Sequence, residues 1–254
     1  MIINNKTDLE GMMRVSDAVA LTLKKMQEYA RAGMSTKELD DYGGELLATY
    51  GARSAPYLVY RFPGHTCISI NNEICHGIPS SDRIIQKGDL LNIDVSAELN
   101  GYWSDNGGSI IVGEDVHEKK HLIDTSIAIL RKAITGIHAG VKINEMGGII
   151  EAEARRNGYK VVKNLGGHGI GRGLHEQPDA ILNYRDRLDK RRFRKDMVVA
   201  IETFITTKST WAVEQSDGFT MLGDKGGFAV QHEHTIVVTD SLPIILTEKN
   251  GILA

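Results

Sequence analysis

The amino-acid sequence repeats itself weakly, and this repeat constrains the fold more than any other feature. Ala32-Gly33 recurs as Ala139-Gly140, and Gly51 recurs as Gly158, in each case 107 positions later (140 − 33 and 158 − 51). Each copy of the Ala-Gly pair follows one amphipathic helical run and precedes a second. The second helix is expected to end at Gly51 in the first copy and at Gly158 in the second, with the glycine as a left-handed cap. Chance agreement is the alternative to duplication. A duplicated chain would place a functional site where its two halves meet.

Both copies predict the same order of secondary structure. The first helices are predicted over residues 16–32 and 123–139, and Ser35-Thr36-Lys37-Glu38 is a capping box that opens the second helix of the first copy. Strand-like stretches follow each helix pair, over residues 66–70, 89–96, 102–112, 160–163, 197–206 and 227–238. This order predicts an α+β fold in which two pseudo-symmetric halves, about 8–115 and 116–250, form one curved antiparallel sheet covered by helices. No linker interrupts residues 1–254, so a single catalytic domain is expected.

Composition and charge exclude several classes of protein. The chain has 254 residues, of which 41% are hydrophobic and 25% charged, the ordinary balance of a globular protein. A net charge of −3 argues against a nucleic-acid-binding surface as the main function. No stretch matches a signal peptide or a membrane span. The two cysteines, Cys67 and Cys75, cannot form a disulfide framework, so a reducing, cytoplasmic location is expected.

Residues 90–105 contain the most informative local pattern. Asn100-Gly101 lies between two strand-like runs and predicts a two-residue type I′ turn, which pairs Ser96 with Asp105. Because side chains alternate along a strand, Asp94 shares a face with Ser96, and its Cα lies about 7–8 Å from that of Asp105. Two carboxylates at this distance repel each other unless they share a proton or a metal ion lies between them. Two acids on a solvent-facing hairpin are the alternative.

Two further acids, Glu202 and Glu233, lie in apolar strand-like runs of the second half. A single buried acid can be satisfied within a core, but four acids in four predicted strands of two matching halves require a shared cation. Their combined charge of about −4 would be balanced by two divalent ions. His232 and His234 flank Glu233 and are expected to point to the opposite face of the sheet in structural roles.

A glycine-rich segment over residues 166–178 holds two histidines, His168 and His175. No Gly-Lys-Ser/Thr ending follows the glycines and Pro178 interrupts any helix, so the segment does not match a phosphate-binding loop. The glycines instead indicate a close approach of the backbone around two functional imidazoles. Spacing alone leaves a structural role for these histidines equally open.

A set of short motifs occurs in order along the chain: Cys75-His76-Gly77-Ile78-Pro79, Asn92-Ile93-Asp94-Val95, Asp105, Gly167-His168-Gly169-Ile170-Gly171 with His175-Glu176, Ile201-Glu202, and Gln231 with Glu233-His234-Thr235. In these motifs the sequence resembles the methionine aminopeptidases, which have the pita-bread metallopeptidase fold. The resemblance runs from about residue 8 to residue 240. The gap of 34 residues from His168 to Glu202 (202 − 168) resembles the type I, bacterial-like subgroup, because type II carries a long insertion there.

The resemblance implies a dinuclear metal site. Asp94 would chelate one ion, Asp105 and Glu233 would bridge the pair, and His168 and Glu202 would bind the other. An oxygen-rich donor set with one imidazole suits manganese, iron or cobalt, with zinc or nickel as further candidates. The sequence departs from the family at Thr203, where relatives usually carry proline after the second-half glutamate.

The resemblance also implies the residues on the substrate side. By position, the methionine pocket is lined by Val59, Phe62, Cys67, Leu174 and Phe219, and it is apolar as a thioether requires. In the mechanism that we expect, a hydroxide bridging the two metal ions attacks the first peptide bond, and Glu202 carries the proton to the leaving amine. His175 would donate a hydrogen bond to the developing oxyanion, and His76 would contact the scissile amide nitrogen.

The implied activity is removal of the initiator methionine from nascent polypeptides that begin with methionine followed by a small residue. A cytoplasmic monomer is expected, in possible contact with the ribosome but with no direct nucleic-acid or membrane role. Two alternatives remain. One is a proline-specific aminopeptidase or prolidase of the same fold, and the other is a catalytically silent pita-bread protein that binds peptides.

Overall fold

The helices come in two pairs that follow the spacing of the sequence repeat. In the computed structural model, which describes residues 1–254, they are α1 (Lys6–Tyr29), α2 (Thr36–Thr49), the short α3 (Ala55–Tyr60), α4 (Lys120–Thr135) and α5 (Ile143–Arg156), with a 3₁₀ turn at Glu248–Asn250. Gly51 and Gly158 have φ angles of 70° and 79°, and Gly33 and Gly140 have 88° and 90°. The predicted left-handed caps are confirmed in both halves, since glycine adopts this conformation without steric cost.

The first two helices begin at side-chain caps. The Asn5 side chain accepts a hydrogen bond from the Asp8 backbone N–H at 3.0 Å, so α1 begins at Lys6 rather than at residue 16. The Ser35 hydroxyl accepts a hydrogen bond from the Glu38 backbone N–H at 3.1 Å, which confirms the predicted start of α2.

Ten strands form one antiparallel sheet, and three more form a small second sheet. The large sheet runs in the order β1 (Arg53–Ser54), β4 (Leu90–Leu99), β5 (Tyr102–Ile111), β12 (Ala229–Val237), β9 (Val198–Thr206), β7 (Gly166–Gly169) and β8 (Glu176–Leu182), with β2 (Cys67–Ile70) paired to β4, β6 (Lys160–Val161) to β9 and β13 (Ile244–Ile245) to β12. The small sheet has the order β10 (Ala212–Glu214), β11 (Met221–Gly223) and β3 (Glu73–Cys75). Strands β5 and β12 come from different halves and lie side by side, so the halves join in one sheet, as predicted.

The two faces of the large sheet carry different side chains. On β4, Ile93 and Val95 belong to the apolar core beneath α1 and α2, and Asp94 between them points to the other face. On β9, Ile201 belongs to the core beneath α4 and α5, and Glu202 points away from it. Helices α1, α2, α4 and α5 therefore cover one face and leave the acids on the other. None of these helices has both the length and the apolar character needed to cross a bilayer.

The first four residues of the glycine-rich segment, Gly166–Gly169, form strand β7, and a loop over residues 170–175 joins this strand to β8. A Cβ atom on Gly167 would clash with the carbonyl oxygen of Ala200 in β9, and one on Gly169 would clash with that of Gln177 in β8. The prediction of a close backbone approach is therefore confirmed. It places His168, which pairs with Ala200, directly against the central strand β9.

This close approach predicts the effect of Gly167→Ala. The added methyl group would push β7 away from β9, so the free energy of unfolding should fall by about 1–3 kcal/mol, the usual cost of overpacking. Gly173→Ala is the matched control in the same segment, because a Cβ there meets its nearest atom at 3.9 Å. Urea unfolding of both variants checks the prediction, and equal stability of the two would contradict it.

Candidate metal centre and active site

The β4–β5 hairpin has the predicted register. Asn100 and Gly101 form the turn with φ angles of 53° and 78°, both positive as a type I′ turn requires. Ser96 pairs with Asp105. Asp94 precedes Ser96 by two residues and therefore lies on the same face, diagonal to Asp105. The sheet face that opposes the helices thus receives both carboxylates.

The other predicted ligands reach the same place from the second half. Ligand atoms of Asp105, His168 and Glu233 all lie within 4.8 Å of one another, and all three residues are buried. Glu202 is the direct cross-strand partner of Glu233 in the β9–β12 register. Asp94 lies diagonal to Asp105 across β4 and β5, and burial and then the charge of Asp105 raise the pKa of Asp94. Five strands, β4, β5, β7, β9 and β12, therefore bring four carboxylates and one imidazole together.

Burial and mutual repulsion make the negative charges of this cluster costly. The pKa of Asp94, Glu202 and Glu233 is raised well above the ordinary carboxyl value, first by burial and then by the charges of neighbouring acids. Burial raises the pKa of Asp105 to about 6. Asp94 and Glu202 open onto a cavity, yet the surrounding protein still withholds most of the water that would stabilise their charge. A cation would relieve this cost.

Two oxygens in the cluster also lack partners. Oδ1 of Asp105 and Oε1 of Glu233 are buried and accept no hydrogen bond. Buried polar atoms without partners are rare in folded proteins, and an ion is one of the established reasons for them. The second oxygen of Glu233 is held in place, since Gln231 Nε2 donates to it at 2.9 Å, and Asn92 Nδ2 donates to the Gln231 amide oxygen at 2.8 Å.

His168 is prepared to bind a metal through one defined nitrogen. Its Nδ1 lies 3.0 Å from the carbonyl oxygen of Gly169, and because a carbonyl can only accept, Nδ1 carries the proton. Nε2 therefore presents a lone pair, 3.8 Å from Oδ2 of Asp105. Burial lowers the pKa of His168 to about 3, so the ring is neutral, as a metal ligand must be. The donor set fits two divalent ions.

A cavity of about 380 Å³ opens onto this cluster. Its lining includes the predicted pocket residues Phe62, Cys67, Leu174 and Phe219, the predicted substrate-side histidines His76 and His175, and the proposed ligands Asp94, Asp105, His168 and Glu202. Glu233 is only 1% exposed and lies behind this surface. The Phe62 and Phe219 rings meet edge to face at 5.1 Å. One side of the cavity is thus apolar and the other carries the cluster.

Val59 does not join the other predicted pocket residues. It is 45% exposed on α3 and is absent from the cavity lining, where Tyr60 is present instead. Consecutive residues on a helix point about 100° apart, so the phase of this short helix decides which of the two enters. Ser54 caps α3 by accepting a hydrogen bond from the Tyr57 backbone N–H, which fixes that phase. The cavity is therefore lined at this point by the phenol of Tyr60 and not by the aliphatic side chain of Val59.

Several further lining residues were missed from the sequence: Pro56, Tyr60, Leu165, Glu214 and Met221. Glu214 and Met221 face each other across β10 and β11, a pairing that no short motif announces. The Ser-Ala-Pro sequence before Tyr57 was the available signal for α3, because serine at the cap and proline in the first turn open helices.

His232, His234 and Thr203 lie on the helix-facing side of the sheet. His232 Nδ1 is 2.9 Å from the Ser126 hydroxyl and His234 Nδ1 is 2.8 Å from the Thr247 hydroxyl, which confirms their structural roles. The Thr203 hydroxyl donates to the His232 carbonyl at 3.3 Å. Thr203, which stands where relatives usually carry proline, therefore makes its hydrogen bond on the face of the sheet away from the cavity.

An antiparallel α+β fold with a carboxylate-rich, dinuclear-type site beside an apolar cavity defines a metal-dependent hydrolase. Residues 10–240 match metallopeptidase family M24. The chain belongs to this family, and its curved sheet and paired helices form the pita-bread fold that was predicted.

The relatives give this membership its detail. The chain is 44% identical to methionine aminopeptidase 2 of Bacillus subtilis, over 98% of this chain and 100% of that one. It is 32% identical to the methionine aminopeptidase of Aquifex aeolicus, over 96% of this chain and 97% of that one. The crystal structure of the Thermotoga maritima methionine aminopeptidase superposes with a TM-score of 0.91 at 30% identity, covering 97% and 99% of the two chains. Prolidase from Pyrococcus furiosus shares the fold with a TM-score of 0.78, at 23% identity and over 65% of its length.

Asp105→Ala should abolish binding of Mn²⁺ and turnover together. Its carboxylate lies among the other ligand atoms, so its loss should weaken binding by more than the roughly 10–100-fold typical of a residue that only orients a ligand. Titration calorimetry measures this directly. Glu214→Ala is the matched control, because it removes a carboxylate of the same cavity outside the cluster. Full retention of metal by Asp105→Ala would contradict the site.

Metal stabilisation should increase with pH. A carboxyl group whose pKa is higher in the folded than in the unfolded chain contributes fully to stability below its pKa in the unfolded chain, which is about 4. This contribution is lost as the pH rises through the pKa of the group in the folded chain. The cluster acids, with Asp105 at about 6, behave in this way. A bound cation replaces their protons, so its effect is largest where the protons are gone.

Thermal unfolding with and without excess Mn²⁺ checks this expectation. The metal-induced rise in Tm should be larger at about pH 7.5 than at about pH 5.5. Buried histidines with lowered pKa destabilise the fold as the pH falls below about 6.5, but they do so with and without metal, so the difference in Tm removes their effect. Asp105→Ala, the control, should show no rise at either pH. A rise that shrinks with increasing pH would count against the cluster.

Proposed function

We propose that this chain is a methionyl aminopeptidase, which removes the N-terminal methionine from nascent proteins. The observation that carries the proposal is the cavity, in which an apolar wall faces a carboxylate and imidazole cluster. Its volume of about 380 Å³ falls within the range of small-ligand sites and suits one side chain and the adjoining backbone. The relatives named methionine aminopeptidases, which match almost the whole chain, support this substrate.

The apolar wall suits the methionine side chain. Phe62, Phe219 and Leu174 supply contact area for an unbranched, polarisable thioether. Burial raises the pKa of Cys67 well above the ordinary thiol value, so Cys67 stays a neutral thiol that adds to this surface. Met221, on the central strand β11 of the small sheet, also lines the cavity and offers a thioether contact.

The metal ions would be held by Asp94, Asp105, His168, Glu202 and Glu233. When bound, two divalent ions supply Lewis-acid polarisation of the scissile carbonyl and a nucleophilic water at neutral pH. Manganese, iron or cobalt suits this donor set, and zinc or nickel is a weaker fit. The bound ions would also accept the free, deprotonated α-amino group of a peptide, which would restrict cleavage to chain ends.

Protein side chains would then move the protons and orient the peptide. Glu202 opens onto the cavity beside Glu233, and this supports a role in which its carboxylate would accept a proton from water and return it to the leaving amine. His175 would donate a hydrogen bond to the carbonyl oxygen as negative charge develops. His76, on the cavity wall in a left-handed conformation with φ of 56°, would contact the scissile amide nitrogen.

The two alternatives are less well supported. Prolidases share the fold, but this chain covers only 65% of the Pyrococcus furiosus enzyme at 23% identity. A catalytically silent protein would have no need of five converging ligands with orphaned oxygens between them.

The setting of this activity follows from its substrate. We propose that residues 1–254 act as one catalytic domain, because both halves contribute ligands to a single cluster. Cys67 and Cys75 are both free and buried, which suits work in the reducing cytoplasm. There the enzyme would act as a monomer on nascent chains that begin with methionine followed by a small residue, near the ribosome and without direct contact with nucleic acid or membrane.

A peptide panel tests the function. With Mn²⁺ or Co²⁺ added, the chain should cleave Met-Ala-Ser and leave Ala-Pro-Ser intact, and it should prefer methionine to leucine by about 10- to 200-fold, the usual range for a small change in an apolar side chain. The His175→Ala variant should keep its metal and lose about 100- to 1,000-fold in kcat. Preferential release of residues before proline would favour the prolidase reading.

A further inference from the structure

Tyr60 occupies a fixed position at the end of α3. The helix ends there because Arg61 adopts a left-handed conformation, with φ of 56°, and the Arg61 and Phe62 backbone N–H groups turn back to carbonyls of the first helical turn. At the other end, the Ser54 hydroxyl donates to the His65 carbonyl at 2.8 Å and ties the helix to the chain that follows it. The phenol is thus carried by a short, closed element and is not part of a free loop.

The Tyr60 hydroxyl contacts the histidine on the substrate side. Its oxygen lies 2.6 Å from Nδ1 of His175, with the ring centroids 6.0 Å apart. This is the one hydrogen bond that the His175 side chain makes within the chain. His175 also packs against His168, with ring centroids at 4.2 Å. The contact engages Nδ1 of His175 and leaves Nε2 for a ligand.

The adjacent imidazoles of His168 and His175 need their protons on different ring nitrogens. His168 carries its proton on Nδ1, because the Gly169 carbonyl accepts it, and offers the lone pair of Nε2. A histidine that donates from Nε2 needs the reverse arrangement, in which another group donates a hydrogen bond to Nδ1. A tyrosine hydroxyl can supply this hydrogen bond, whereas a carbonyl cannot.

We propose that Tyr60 is a positioning residue, whose hydroxyl donates to Nδ1 of His175 and so keeps the imidazole proton on Nε2, the nitrogen left for the substrate. This inference rests on the proposed function, in which His175 donates a hydrogen bond to the scissile carbonyl oxygen. Burial and the charge of Asp105 raise the pKa of Tyr60 above its ordinary value, so the phenol keeps its proton at neutral pH. The bond also fixes the ring in one orientation before a peptide binds.

Imidazole ¹⁵N NMR of the full chain tests the hydrogen bond directly, before and after addition of Zn²⁺. His175 should be a single tautomer protonated on Nε2 in the wild type, and Tyr60→Phe should convert it to a mixture. The matched control is Tyr57→Phe on the same helix. The hydroxyl that it removes makes no hydrogen bond, and Tyr57 does not line the cavity. A wild-type His175 protonated on Nδ1, or one unaffected by Tyr60→Phe, would overturn the proposal.

Kinetics test what the hydrogen bond does for the reaction. Tyr60→Phe should lower kcat on Met-Ala-Ser about tenfold, the lower end for residues that orient a histidine, with little change in KM. In a His175→Ala background the same change should have no further effect, because its only target is gone. Additive losses would refute positioning through His175.

The two experiments separate this inference from the function on which it rests. A wild-type chain with no activity on any methionine peptide would refute the proposed function, and the tautomer comparison would still decide whether Tyr60 sets His175. Full activity of Tyr60→Phe beside an inactive His175→Ala would refute the inference and leave the function standing.

Discussion

Four carboxylates form one cluster beside the cavity and repel one another, and the rest of the structure depends on holding them there. Asp94 and Asp105 come from the first half, Glu202 and Glu233 from the second, so no single hairpin assembles the site. The side-by-side pairing of β5 and β12 forces the two acid pairs together. The Thr235 hydroxyl reinforces this junction, since it donates to the Asp105 carbonyl at 2.7 Å and accepts from the Asp105 N–H at 3.1 Å.

The free energy that opposes this repulsion comes from the other face of the sheet. Because strand side chains alternate, the neighbours of each acid lie on the helix-facing side of the sheet, and those of Asp94 are Ile93 and Val95, which pack beneath α1 and α2. Moving Asp94 out of the cluster would therefore expose apolar surface, at about 25 cal/mol per Å². The core thus keeps Asp94 in place, and bound cations would relieve a cost that the fold already bears.

The ligand cluster could be predicted from the sequence more completely than the pocket could. Asn100-Gly101 sets the hairpin register by turn geometry, which depends on two residues only, and the diagonal of Asp94 and Asp105 follows from it. The pocket depends on the phase of the six-residue α3, and so Tyr60, not Val59, reaches the cavity. Likewise, the small sheet that brings Met221 beside Cys75 pairs residues distant in sequence, which periodicity does not reveal.

The loop that carries His175 belongs in sequence to the second half but is fastened to the first. The Gly171 carbonyl accepts from the Trp103 backbone N–H at 2.9 Å, and the Arg172 guanidinium lies 3.8 Å above the Tyr102 ring and donates to Asp8 at 2.7 Å. Trp103 and Tyr102 lie on the strand that also carries Asp105. The group that would meet the carbonyl oxygen and the group that would bridge the metals are therefore positioned by the same strand. A displacement of β5 would move His175 and Asp105 together, so a motion between the two halves would not change the geometry of one relative to the other. Preorganised groups of this kind are the main source of electrostatic stabilisation in enzymes.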